Sequence, residues 1–295
     1  MQQKIVLNLK IFWRLLTSVL LAVLLVLLVL FVRNPYSLKA RTYDWVRETM
    51  KKSLEIKTYN WFTMEGKYFK VKYQPVDGSI ARLVLETAED SFADVNKLLA
   101  YQPQKTVPIF VYPNRISLNK SFGWDGAINA MGVYWAGAIR ILSPLEWIEN
   151  DEHLVTIFQE KGPIVHEYAH LLVDYKTHGN YPRWFTEGIA QYAEQELIGY
   201  TLPVSAGEKN TWYPFSEMDD KFDLLPDQDG AYRQSLLAVE YIVETAGFEA
   251  ILGILDELEK GQTIKKALEN IIDLDFAVFE ANCRLFAAGQ QDLSL

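Results

Sequence analysis

The residues with the most chemistry to offer lie in one stretch, His166-Glu167-Tyr168-Ala169-His170. Two imidazoles four positions apart project from one face of a helix, one turn apart, and can bind the same ion. Zinc accepts imidazole nitrogen at about 2.0–2.1 Å, and a catalytic zinc takes three protein ligands and keeps a fourth position for water. Glu167 is displaced about 100° around the helix from His166. Its carboxylate therefore reaches a water on the metal rather than the metal itself, as a general base requires. The third ligand must come from a second element. Glu187 is the best candidate, in Trp184-Phe185-Thr186-Glu187-Gly188, with sixteen residues between it and His170. That length lets one helix end, turn at 179–182 and return as a second helix. Asp174 lies four past His170 on the ligand face, where it either orients an imidazole or is a plain salt bridge or surface carboxylate.

Composition supports reading these residues as a site. The chain of 295 residues has four histidines, His153, His166, His170 and His178, and half of them fall in one pentapeptide. The single cysteine, Cys283, excludes an intrachain disulfide and a cysteine-based zinc cluster. Its neighbours Phe279, Leu285 and Phe286 mark it as a buried thiol. A formal net charge of -9 argues against nucleic acid as a partner.

The elements that must position the site read as follows. Alternation predicts strands over 67–73, 106–112 and 138–142. Helical spacing predicts a long helix over 79–100. The glycine-rich 123–137 reads as a loop. From 151 the pattern is helical: a helix from Pro163 to about Lys176, a second from near Thr186, and others over 231–246, 248–260, 263–271 and 275–288. The expected fold class is α+β, with a small N-terminal mixed sheet and helix (61–150) and a helical half (151–295), the site in the cleft between them.

Residues 1–14 form a short basic N-terminus. Leu15–Val32 is apolar on all sides and, as a helix, about 27 Å long, so it is expected to cross a lipid bilayer. No convincing cleavage site follows it. Residues 33–60 read as a juxtamembrane spacer ahead of a domain over 61–295. The expected location is the cell membrane, single-pass, with the domain outside the cytoplasm, although Arg33, Lys39, Arg41, Arg47, Lys51 and Lys52 count against export.

The pair His166–His170 and Trp184–Tyr192 resembles the gluzincin signature. More closely, with Ala130–Pro144 before the first motif and Ala231–Leu252 after the second, it is similar to the peptidase MA-like family of membrane-anchored bacterial metallopeptidases. The resemblance extends from about Phe69 to the C-terminus. It implies a zincin (thermolysin-like) fold and one Zn2+ per chain held by His166, His170 and Glu187. It also implies hydrolysis of peptide bonds in a peptide or protein substrate, with Glu167 as the base. Gluzincins place a substrate-binding edge strand before the zinc helix, here at Asn129, Ala130, Met131 and Gly132. In related aminopeptidases a glutamate binds the substrate amine where this chain has Gly132, which favours an endopeptidase over an aminopeptidase. The family also implies a downstream Tyr or His as oxyanion donor. Tyr232 is the candidate and His178 the alternative, set against a purely structural core tyrosine. Two other classes stay open: an inactive zinc-bound scaffold or binding module, and a membrane-tethered interaction protein without metal.

Overall fold

The computed structural model describes residues 2–33, 35–124, 130–149, 151–202 and 211–292. They form two compact units, Met1–Trp45 and Val46–Leu295. The first holds α1 (Gln2–Arg33) and the start of α2 (Pro35–Lys57). The apolar run is helical within α1, and its described side chains, such as Val19 and Leu21, are exposed. Among the described residues, however, no helix is long and apolar enough to cross a membrane. The expected transmembrane helix is therefore unsupported among these residues.

The second unit is built on a five-stranded mixed sheet of β1 (Phe62–Glu65), β2 (Phe69–Tyr73), β3 (Val107–Tyr112), β4 (Gly132–Trp135) and β5 (Ala138–Leu142). The order is β1-β2-β3-β5-β4. β2, β3 and β5 run parallel, while β1 and β4 lie antiparallel at the two edges. β3 and β5 are buried on both faces. Alternation along the strands divides their side chains between two cores. Val71, Ile109, Val111, Ile139 and Ile141 pack with α3 (Gly78–Leu99) in the larger. Phe110, Tyr112, Ala138 and Leu142 pack with Leu54 of α2 and Leu118 of α4 (Arg115–Phe122) in the smaller. α3 carries Ile80, Val84, Ala88, Phe92, Val95 and Leu99 at helical spacing and ends at Ala100, a left-handed residue with φ 49°.

The rest of the chain is helical: α5 (Leu154–Lys161), α6 (Ile164–Thr177), α7 (Arg183–Ile198), α8 (Phe215–Asp220), α9 (Gln228–Ala246), α10 (Phe248–Glu259), α11 (Ile264–Ile272) and α12 (Phe276–Asp292). α6 stops where His178 and Gly179 adopt positive φ, 53° and 73°, a common helix exit. α7 starts directly after Pro182, which presets the backbone for a first turn, three residues before the predicted start. Gly188 lets α7 approach α9 closely, because a Cβ there would sit 2.6 Å from Val239 Cγ2.

β1, β4 and α4 depart from the sequence reading, which left them without regular structure, and α5 and α8 fall in the half read as helical without having been separately delimited. β4 matters most, since it falls inside the segment read as a loop. Its four residues form a strand by pairing with β5 through a two-residue turn, Ala136 and Gly137, at φ 50° and 81°. Two positive φ values in such a turn suit the twist of a hairpin. The expected spacer also differs. Arg47, Lys51, Leu54 and Thr58 of that segment are buried, so the compact unit begins at Val46 rather than at 61.

Candidate metal centre and its base

α6 and α7 supply the centre, and β4 closes its side. α6 presents His166 and His170 from adjacent turns with their Nε2 atoms 3.1 Å apart. α7 brings in Glu187, whose Oε2 lies 3.4 Å from His166 Nε2 and 3.5 Å from His170 Nε2. These three form the His/Glu cluster among the described residues that can hold a metal ion. Ligands about 2.0–2.1 Å from a tetrahedral zinc ion stand about 3.3 Å from one another, and the three separations bracket that value. Glu187 Oε2 is buried without a hydrogen-bond partner, an expensive arrangement for a carboxylate unless a cation completes it. The donor set therefore fits zinc.

Each of the three side chains is held from behind. His166 Nδ1 lies 2.8 Å from Glu194 Oε2, two turns along α7 from Glu187. His170 Nδ1 lies 2.7 Å from the hydroxyl of Thr186. Such outer partners fix the imidazole tautomer and leave the other nitrogen for a metal. Arg183 Nη2 lies 2.9 Å from Glu187 Oε1. Spacing could have flagged Arg183 and Glu194, which sit four before and seven after Glu187 on its helix face, whereas Thr186, adjacent to Glu187, carries no such signal.

Asp174 is absent from these imidazole partners. Its carboxylate is fully buried and accepts hydrogen bonds from Arg47 Nη1 at 2.9 Å, Tyr134 Oη at 2.6 Å and Tyr181 Oη at 3.3 Å. The expected alternative of a plain salt bridge is present, to Arg47, although buried rather than at the surface; in place of orienting an imidazole, Asp174 ties α2 and β4 onto α6.

Glu167 lies beneath β4 and accepts a hydrogen bond from the Tyr134 backbone N–H. Burial raises its carboxyl pKa to about 7; the Glu187 charge adds to the rise, and His166 opposes it. Burial pushes Glu187 the same way, but Arg183 and the imidazoles outweigh it and hold that carboxyl well below its ordinary range. Burial lowers His170 to about 4. His166 is raised, because Glu194 and Glu187 overcome its desolvation.

Gly132 is the first residue of β4, and a Cβ there would sit 2.7 Å from Pro163 Cβ and 2.9 Å from Glu167 Cγ. Ala130 and Met131 lead into the strand, and the Met131 carbonyl accepts from Leu142 N at 2.8 Å. Asn129, also expected there, lies outside the described residues. Tyr232, in the first turns of α9, packs on Phe222 at 5.2 Å between ring centroids. Its hydroxyl pKa is raised, first by the Glu187 charge and then by burial, which places the phenol within reach of the centre's field. His178 caps the far end of α6, about 16 Å along the axis from Glu167.

Comparison with protein families matches residues 87–289 to the Peptidase MA superfamily. The chain belongs to that superfamily. The matched span runs from within α3 to within α12 and contains β4, both ligand helices and Tyr232. A relative in this size range is the uncharacterized protein YhcO of Bacillus subtilis (strain 168), 24% identical over 226 residues. That alignment covers 71% of this chain and 66% of YhcO, just under two thirds of the relative's length.

Proposed function

We propose that this member of the Peptidase MA superfamily is a zinc-dependent endopeptidase of gluzincin type. The observation that carries the reading is the buried, unpartnered Glu187 Oε2 facing the two imidazole nitrogens at tetrahedral spacing. His166, His170 and Glu187 would hold the metal. When bound, zinc supplies Lewis acidity, polarising a carbonyl and acidifying water.

The remaining chemistry belongs to the chain. Glu167, with a pKa raised to about 7, can take a proton from an attacking water and return it to the leaving amine near neutrality. The Tyr134 N–H aims its carboxylate. The raised pKa of Tyr232 keeps the phenol protonated, so it can donate to a developing oxyanion. β4 at the sheet edge suits an extended peptide added as a further strand. The packing at Gly132 supports cleavage of internal bonds, since a glutamate there, as an amine anchor, would collide with Pro163 and Glu167.

The test is hydrolysis of a peptide library by the full chain, with metal measured on the same sample. Expected are about one zinc per chain and cleavage that Glu167→Gln abolishes while zinc is retained. Zinc without cleavage would favour a binding module, and no stoichiometric zinc would overturn the reading. Membrane attachment, with Val46–Leu295 outside the cytoplasm, is also proposed, supported by the exposed Leu and Val side chains of α1. Alkaline extraction of cell membranes checks it: release of the chain into the wash would refute attachment.

A further inference from the structure

Three arginines lie beside the sheet and helices, Arg47 and Arg140 buried and Arg183 half-buried, and one is treated differently. Arg47 has Asp174 at 2.9 Å, and Arg183 has Glu187 at 2.9 Å. Arg140, on β5, is 4% exposed and has no carboxylate partner among the described residues. Its Nη1 donates to the Ser121 carbonyl at 2.8 Å and to the Ser121 hydroxyl at 3.0 Å. Its guanidinium lies 4.1 Å from the Phe122 ring centre and 5.6 Å from that of Trp135. Its Nε has no hydrogen-bond partner. Aromatic faces offset part of the cost of burying a cation, but they leave a planar donor fork suited to a carboxylate.

That fork lies in the wall of a cavity of about 570 Å³. Lys57 of α2, Lys120 and Phe122 of α4, Trp124 and Trp135 also line it, and among the described residues no acidic one does. Both lysines are exposed at its mouth. The wall nearest the sheet edge is β4 itself. Val133 lies opposite Arg140 in the ladder, so Val133, Trp135 and Arg140 share the sheet face that looks toward α2 and α4. Gly132 and Tyr134 point the other way, toward Glu167.

The ladder also fixes which peptide groups face outward. Leu142 N donates to the Met131 carbonyl, so in the antiparallel alternation the peptide groups of Gly132 and Tyr134 point away from β5; Glu167 takes the Tyr134 N–H, which leaves the Gly132 peptide group and the Tyr134 carbonyl for an added strand. A peptide added there would present side chains alternately to the two sheet faces. One set would meet the metal centre. The other would meet the cavity, where three cations and three aromatic rings wait without an acid among the described residues.

We propose that this cavity is a specificity subsite for an acidic side chain, Glu or Asp, of an extended peptide paired to β4. The inference rests on the endopeptidase reading and supplies its substrate class. The carboxylate takes the free side of the Arg140 guanidinium, Trp135 and Phe122 flank the side-chain stem, and Lys57 and Lys120 draw the acid in.

Two decapeptide sets test it, one with a single Glu walked along an otherwise neutral sequence, the other with Gln in its place. Binding to the zinc-loaded full chain carrying Glu167→Gln is followed by tryptophan fluorescence, which Trp124 and Trp135 report. At one register Glu should bind at least about tenfold tighter than Gln, as expected for a charge-assisted hydrogen bond over a neutral one. Arg140→Gln should erase the preference. Lys57→Ser with Lys120→Ser, both at exposed positions, should cut it severalfold, as should high salt. Equal binding of Glu and Gln at every register overturns the proposal. So does a preference untouched in the double lysine variant, which remains informative if Arg140→Gln fails to fold. Cleavage of both sets by the unmodified chain separates the two readings. Turnover without acid preference overturns the subsite alone, whereas acid-selective binding without turnover keeps the subsite and overturns the peptidase.

Discussion

The two helices that meet at the centre each contribute a buried glutamate, and their surroundings drive the two in opposite directions. On α7, Glu187 has a guanidinium at 2.9 Å and two imidazoles within 3.5 Å, so it stays ionised. On α6, Glu167 has one backbone N–H, and burial raises it to about 7. A ligand must be an anion across the working pH range, whereas a base must exchange a proton near neutrality. The same side chain can serve both proposed roles because one site surrounds it with cations and the other with a strand edge. Pairs of carboxyls whose environments separate their pKa values mark acid–base assignments.

The largest expected effects come from removing each charge in turn. Glu187→Gln should release the metal, with bound zinc falling below about a tenth per chain after dialysis, and should abolish cleavage with it. Glu167→Gln should keep zinc and lower kcat by about 10²–10⁴-fold. Metal analysis and steady-state kinetics on both variants separate the roles, and equal zinc loss in the two would erase the contrast. Arg183→Met addresses what makes the α7 carboxylate a ligand. Without the guanidinium, Glu187 is more easily protonated, so zinc affinity should fall about 10–100-fold. Its acid loss should also begin at a higher pH than in the unmodified chain. Competition with a chromophoric chelator across a pH series measures both.

The contrast also has a stability signature in the metal-free protein. Glu167 titrates at about 7 when folded and at about 4.3 when unfolded. Because the folded pKa is the higher, its contribution is fully present below the unfolded value and is lost as pH rises through about 7. Relative to Glu167→Gln, the unmodified chain should therefore lose about 3 kcal/mol between pH 4 and 8. Urea melts of both chains, stripped of metal, give the difference directly. A difference independent of pH would mean that Glu167 is not held with a raised pKa.

Much of this arrangement is legible in the sequence, for reasons that differ by element. The strands later found as β2, β3 and β5 show through their branched and aromatic runs, and α6 shows through Pro163 at its start and the His178–Gly179 exit. The ligand set follows from helical spacing and from the chain length between His170 and Glu187. β4 does not show, because four residues among glycines have no periodicity of their own and become a strand only by pairing with β5. With β4 hidden, the origin of Glu167's environment is hidden too. The imidazole-orienting role expected of Asp174 fails for a related reason. Its position on the ligand face is visible in the spacing, but the buried Arg47, Tyr134 and Tyr181 that claim it come from distant parts of the chain. Arg140 reads as an ordinary strand residue until the sheet register places it below the edge strand. Spacing reveals partners within one helix, whereas partners brought together by the sheet need the fold.

The smallest expected effect tests whether β4 sets the environment of Glu167. Gly132 leaves no room for a methyl group, since a Cβ would sit 2.9 Å from both Cγ and Oε1 of Glu167. Gly132→Ala must therefore shift either the strand or the carboxylate. Overpacking of this kind costs about 1–3 kcal/mol, which a urea melt of the metal-free chain registers. The informative quantity is the pH dependence of that loss. If the methyl displaces Glu167 from the Tyr134 N–H, the ionised carboxylate loses its one backbone donor, and the destabilisation grows as pH rises through 7. If the strand yields instead, the loss is the same at pH 5 and pH 8, and the strand edge is softer than the base beneath it. The variant should retain zinc in either case, because its methyl group lies against the base and Pro163 rather than against the three ligands.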